Sequence, residues 1–180
     1  MKKLVWYACY GSNINEKRFL YYIYGGVYNG RNYSGCNDKT RFLDSKSYTL
    51  PYELYFAKNS KTWENKGVAF LNLEKNINYK TYGKIYLVSY NQFLNIKKEE
   101  GVWYSKEISI GFENDYEILT FTNEKKLDFS SPSLSYLKII VEGIKNSYPN
   151  LSDENIADYF LEKNGIKNFY SKEDILKNCF

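Results

Sequence analysis

The chain has no histidine, only three cysteines and three prolines, and one methionine among its 180 residues. The missing histidine excludes most. Without imidazole there is no Ser-His-Asp or Cys-His nucleophile, no histidine general base and no histidine-ligated metal. Proton transfer near neutral pH is left to a carboxylate of raised pKa, a lysine of lowered pKa, a tyrosine, a cysteine or a bound water. Cys9, Cys36 and Cys179 are widely spaced and form no C-x-x-C pair, which argues against a zinc site and against a secreted disulfide framework. Long apolar runs are also missing: none approaches the ~20 residues needed to span a bilayer. The apolar stretch after Met1-Lys2-Lys3 is too short for a signal peptide and lacks a cleavage pattern. A cytoplasmic protein without membrane contact is expected.

The net charge of +4 comes from scattered lysines, with doublets at Lys2-Lys3, Lys97-Lys98 and Lys125-Lys126 but no sustained basic block. Nucleic-acid binding favours a clustered stripe of charge. Twenty tyrosines interleaved with lysines offer stacking surfaces, yet the chain is rich in Asn, Lys, Ile and Phe as well, so the tyrosines read as compositional bias. No nucleic-acid partner is expected.

What is present suits one globular domain over residues 1–180, with no Pro/Gly/Ser-rich linker to divide it. Leu4-Val5-Trp6-Tyr7-Ala8-Cys9 reads as a strand buried on both faces. It runs into Tyr10-Gly11-Ser12-Asn13, a tight turn whose glycine and short polar side chains permit unusual backbone geometry. Phe19, Leu20, Tyr22 and Ile23 follow at helical spacing, with Ser12 or Asn13 as the expected N-cap. Backbone N–H groups there would converge on one space suited to a carboxylate or phosphate. Residues 24–40, rich in Gly, Asn, Tyr and Ser, read as a long loop able to cover a site beside that turn.

Runs at Tyr48 to Phe56, Val68 to Leu73 and Tyr82 to Val88 predict strands, most simply as a meander. Ser89-Tyr90-Asn91-Gln92 matches a capping box, and the helix it opens should end at Gly101. Further strands are expected around Val102 to Ile110 and Tyr116 to Thr122. From about residue 131 the pattern turns helical, with one helix after Ser130-Ser131-Pro132-Ser133, another opened by Ser152 and a last one beginning near Ser171. Strands first and helices last predict an α+β fold, a small mixed or antiparallel β-barrel with flanking and C-terminal helices.

Glu99-Glu100-Gly101 lies at the C-terminal end of the capped helix, where the helix dipole opposes another negative charge and burial would oppose it further. A carboxylate there is a candidate acid–base group. The competing reading has both glutamates in solvent, paired with Lys97, Lys98 or Lys106.

Together these residues resemble the γ-glutamylcyclotransferases. The resemblance rests on Tyr10-Gly11-Ser12-Asn13 with Arg18 shortly after it, Gly67-Val68-Ala69, Gly83, Glu100-Gly101-Val102, and Pro132-Ser133 followed by Tyr136-Leu137-Lys138-Ile139-Ile140 and Gly143. It implies that a γ-glutamyl amide is attacked by its own α-amine, giving 5-oxoproline and a released amine or amino acid, without metal or organic cofactor. By the same resemblance Glu100, rather than Glu99, is the catalytic carboxylate. Gly11, Ser12 and Asn13 would bind the substrate α-carboxylate or the developing oxyanion, and Tyr10, Tyr104 and Tyr136 would orient substrate. The implied partner is a small γ-glutamyl compound. The chain departs from the family pattern in its longer 24–40 loop and in a shortened interval between Glu100 and Tyr104. Two other readings remain open: a non-catalytic module binding a small carboxylate ligand on the same fold, and a tyrosine-based interaction domain.

Overall fold

The computed structural model describes residues 2–180; Met1, the first residue of the Met1-Lys2-Lys3 stretch discussed above, lies outside them. The first strand, β1 (Leu4–Cys9), is buried from Val5 to Cys9, as an unbroken apolar run should be. A 3-10 turn (Ser12–Ile14) leads to helix α1 (Glu16–Tyr24), then to two short strands, β2 (Gly26–Tyr28) and β3 (Arg31–Tyr33). Strands β4 (Asp44–Leu50), β5 (Tyr52–Ser60), β6 (Lys66–Lys75) and β7 (Thr81–Ser89) precede helix α2 (Tyr90–Glu100). Strands β8 (Lys106–Glu113) and β9 (Tyr116–Thr122) follow, and helices α3 (Leu134–Ser147), α4 (Asp153–Leu161) and α5 (Lys172–Cys179) complete the chain.

The expected α+β class is what the structure shows, with three helices at the C-terminal end. The strands do not close into one barrel. They form a five-stranded sheet in the order β4-β7-β1-β9-β8 and two hairpins, β2–β3 and β5–β6. Central β1 is antiparallel to β7 and parallel to β9, with Tyr7 opposite Tyr86 on one side and Leu119 on the other. The predicted meander is corrected accordingly. Its first strand breaks at Pro51, which cannot donate to a ladder, so that β4 pairs with β7 while β5 turns away to pair with β6. Residues 24–40 are likewise not all loop, since the Asn29-Gly30 turn, both residues at positive φ, joins β2 to β3.

Aromatic rings fill the space between the sheet and helices α1 and α2. Tyr7 stacks on Phe19 and Phe121 with centroids 5.6 and 5.4 Å apart, and Phe19 stacks on Tyr86 at 4.0 Å. Such pairs contribute about 0.5–1.5 kcal/mol each beyond their buried area. They hold the end of β1 rigid where the turn begins.

Two glycines permit close approaches near that turn. A Cβ on Gly143 of α3 would lie 2.5 Å from the Asn15 nitrogen, so α3 packs directly against the backbone that follows the turn. A Cβ on Gly67 would lie 2.1 Å from the Ser130 carbonyl oxygen. There the Gly67 N–H donates to Ser131 at 2.8 Å, joining β6 to the segment that leads into α3.

Candidate functional site

Helix α2 is capped as its sequence predicts: Ser89 Oγ accepts from the Gln92 N–H and Gln92 Oε1 accepts from the Ser89 N–H. It ends at Gly101 with φ of 83°. Its inward face carries Phe93 and Ile96, both buried. Glu100 continues that row at the i, i+3, i+7 spacing of one helical face, whereas Glu99 points elsewhere. The Glu99 carboxylate accepts from the Ser34 N–H at 2.8 Å and lies 3.6 Å from the Arg31 guanidinium, which also donates to the Glu99 carbonyl. Glu99 thereby fastens the β2–β3 hairpin to the helix end. The hairpin is also attached through Asn29, which donates to the Thr62 carbonyl at 2.6 Å. Neither glutamate pairs with Lys97, Lys98 or Lys106; Lys97 pairs instead with Glu107.

Glu100 faces a cavity of about 90 Å³ and keeps partial exposure through it. Three side chains donate to its carboxylate. Asn13 Nδ2 and the Tyr7 hydroxyl reach Oε1 at 2.9 and 3.2 Å, and the Tyr22 hydroxyl reaches Oε2 at 3.2 Å. Burial raises the Glu100 pKa above the ordinary carboxylate value, against the opposing pull of the Arg18 charge, the two tyrosine hydroxyls and Arg31. Burial, and then the Glu100 charge, push Tyr7 and Tyr22 far up, so both remain protonated donors.

The catalytic and substrate-binding residues named from the sequence all line this one cavity: Tyr10, Gly11, Ser12, Asn13, Glu100, Tyr104 and Tyr136. The hydroxyls of all three of these tyrosines are engaged with the backbone. Tyr10 donates to the Phe121 carbonyl at 2.6 Å and Tyr104 to the Ala69 carbonyl at 3.0 Å, so both present ring surface. Tyr136 accepts from the Ala69 N–H, and a Cβ on Gly11 would come within 2.9 Å of its hydroxyl. The expected helix cap is corrected: α1 begins one turn later, with Asn15 accepting from the Arg18 N–H, while Ser12–Ile14 form a separate 3-10 turn. Asn13 is therefore released to reach Glu100.

Tyr7, Tyr22 and Arg31 were not foreseen at this site. The signal for Tyr22 is its i+4 spacing from Arg18. Arg18 itself is 2% exposed. Its Nη2 donates to the Tyr33 hydroxyl at 2.6 Å and to that of Tyr22 at 3.4 Å, and its guanidinium lies 4.6–4.8 Å from the rings of Tyr22, Tyr28 and Tyr33. Its Nε and Nη1 are buried without a partner, as is Asn13 Oδ1. A buried donor left unpaired costs about 1–3 kcal/mol, and more when charged. Among the described residues no group of three or more His, Cys, Asp or Glu is placed to hold a metal ion, and no helix is long and apolar enough to cross a membrane.

No family model matches the chain. Its sequence is 27% identical over 202 residues to a histone deacetylase 5 of Arabidopsis thaliana, covering 88% of this chain but only 30% of that protein's length. Among solved structures, a γ-glutamyl cyclotransferase superposes with a TM-score of 0.61 at 20% identity, covering 97% of this chain and 99% of the other. An uncharacterized human protein gives 0.61 at 20% identity, with 98% and 99% covered. YkqA of Bacillus subtilis gives 0.58 at 20% identity over 88% of this chain and 53% of its own. These likenesses establish a γ-glutamyl cyclotransferase-like fold.

Proposed function

We propose that the chain is a γ-glutamylcyclotransferase-type enzyme that converts a γ-glutamyl amide or peptide to 5-oxoproline and a free amine or amino acid. The observation that carries this reading is Glu100: one carboxylate of raised pKa, held by Asn13, Tyr7 and Tyr22 at the wall of a cavity that also contains the Gly11-Ser12-Asn13 turn. The fold is that of a γ-glutamyl cyclotransferase. The nucleophile in such a reaction is the substrate's own α-amine, so the absence of a histidine-activated side chain is no obstacle.

In this reading Glu100 takes a proton from the substrate α-ammonium, and Asn13 Oδ1 accepts one of its remaining N–H bonds. The amine attacks the γ-carbonyl carbon, closing the five-membered ring and placing negative charge on the carbonyl oxygen. Protonated Glu100 then gives its proton to the departing nitrogen as the carbonyl re-forms and the old C–N bond breaks; the ring nitrogen gives up its second proton to the carboxylate so returned, and that proton leaves on the released amine. A substrate folded so that amine and carbonyl touch has already lost much of the entropy the step requires. The backbone of Gly11, Ser12 and Asn13 would bind the α-carboxylate or the oxyanion.

Incubation of the protein with γ-glutamyl dipeptides, glutathione and γ-glutamylamines, followed by mass spectrometry for 5-oxoproline, tests the proposal. Product from the wild type but not from Glu100→Gln is expected. Ligand binding without product from any γ-glutamyl compound would favour the non-catalytic carboxylate-binding module instead.

A further inference from the structure

We infer that Arg18 is a positioning residue that acts on Glu100 through Tyr22: it orients the Tyr22 hydroxyl as a donor to the carboxylate and balances the carboxylate's charge from behind that hydroxyl. The inference rests on the proposed function for the step that Glu100 performs. Arg18 Nη2 donates to the Tyr22 oxygen at 3.4 Å, and the same hydroxyl donates to Glu100 Oε2 at 3.2 Å. A phenol has one proton. With a cationic N–H directed at its oxygen, that proton is turned away from Arg18 and toward the carboxylate. The other N–H of Nη2 goes to the Tyr33 hydroxyl at 2.6 Å, and the rings of Tyr22, Tyr28 and Tyr33 lie 4.6–4.8 Å from the guanidinium. Tyr28 and Tyr33 belong to the β2–β3 hairpin, so the hairpin helps to hold the cation behind Tyr22.

For the fold alone this arrangement is unfavourable. Arg18 is 2% exposed and has no carboxylate oxygen within 4.0 Å among the described residues. Its Nε and Nη1 are buried without partners. An apolar side chain would fill the same space without burying a charge or unpaired donors, and departures of this kind cluster at functional sites. The titratable groups around Glu100 are Tyr7 and Cys9 of β1, Tyr22 of α1 and Tyr33 of β3. Tyr10, Tyr104 and Tyr136 complete them from the cavity wall. Burial pushes all of these up, so they stay neutral while Glu100 titrates. The cations are Arg18 and Arg31, and Arg31 already lies 3.6 Å from Glu99. Burial raises the Glu100 pKa, and the Arg18 charge is the largest of the opposing influences. Without Arg18 that pKa rises, and Glu100 ceases to accept a proton at a higher pH.

The test compares Arg18→Met, which removes the charge at similar length, with Arg18→Lys, which keeps the charge and loses the fork. Steady-state 5-oxoproline formation from γ-glutamyl-alanine gives kcat, KM and the pH profile. Carbon-13 NMR of the glutamate carboxyl groups, with the Glu100 signal assigned by its loss in Glu100→Gln, follows the titration without any turnover. In Arg18→Met at neutral pH, kcat should fall at least about tenfold, the value of one hydrogen bond to a charged group. KM should change little. The acidic limb of kcat/KM and the NMR midpoint should both move to higher pH, while the urea midpoint should not fall. Arg18→Lys should bring the NMR midpoint part of the way back. Tyr22→Phe should move it less in Arg18→Met than in the wild type, because the two residues act in series. An unmoved limb and NMR midpoint, with a lowered urea midpoint, would show a structural role and overturn the inference. If Arg18→Met does not fold, Arg18→Lys decides: a midpoint above that of the wild type supports the inference, and an unmoved one overturns it. Should the wild type form no 5-oxoproline, the proposed function fails, and the NMR midpoint still decides the role of Arg18.

Discussion

Asn13 Nδ2 donates to Glu100 Oε1 at 2.9 Å across 87 residues of sequence, joining the turn after β1 to the last residue of α2. The same nitrogen donates to the Tyr7 hydroxyl at 3.2 Å, and that hydroxyl in turn donates a hydrogen bond to the carboxylate. Carboxylate and turn therefore hold fixed positions relative to one another before any ligand arrives, the preorganisation that a small rigid substrate needs.

Glu100→Gln should lower 5-oxoproline formation by about 10²- to 10⁴-fold, the usual contribution of a general acid–base group. Glu99→Gln should retain most of the turnover, because its carboxylate anchors a hairpin rather than facing the cavity. Steady-state rates for the two variants decide the matter; near-native activity in Glu100→Gln would falsify the assignment.

Activity should fall as pH drops through the Glu100 pKa, since only the carboxylate accepts the proton. Tyr22→Phe removes a hydrogen bond that lowers this pKa, so the pKa should rise and the acidic limb of the kcat/KM profile should move to higher pH. An unmoved limb would show that the profile reports another group.

Gly143→Ala inserts a methyl group 2.5 Å from the Asn15 nitrogen. The resulting shift of α3 should cost about 1–3 kcal/mol in urea unfolding. Because the displaced backbone follows Asn13 directly, kcat should fall as well, although Gly143 is not part of the cavity lining.

Cys9, Cys36 and Cys179 are all buried free thiols. Burial pushes Cys36 up to about 12 and Cys179 up to about 11, and it pushes Cys9 higher still. Thiolate is the reactive form. Native protein at pH 8 should therefore react slowly with a thiol-specific disulfide reagent, and denatured protein should release three equivalents quickly. Rapid reaction of the native protein would overturn this expectation.

Local signals were the legible part. Ser89 with Gln92, Gly101, Ser152 and Ser171 mark helix ends through their own side chains or backbone freedom, and each stands where expected, while the cap of α3 is the last residue of the Ser130–Ser133 run. The choice of Glu100 over Glu99 came from its place before Gly101 and from the family resemblance; that it shares a face with buried Phe93 and Ile96 is seen in the folded helix. Pairings between distant segments were not. Nothing local in Trp6 or Tyr7 specifies a parallel partner at Ile118 and Leu119, and strands as short as Gly26–Tyr28 and Arg31–Tyr33 are below the length at which alternation can be read. The strand expected from Val102 begins at Lys106, after a turn that exposes Val102. The partners of Glu100 come from β1, the turn and α1, so only the folded chain brings them into view.

The two glutamates that end α2 divide their work by direction alone. A single-residue insertion within that helix would rotate its end by about 100°, carrying Glu99 to the cavity and Glu100 past it, whereas a deletion would carry Glu100 to the hairpin and leave no carboxylate at the cavity. Length variation among descendants of this chain should therefore accumulate in the β2–β3 hairpin, where the covering of the cavity can be rebuilt around an unaltered helix, and be purged from α2.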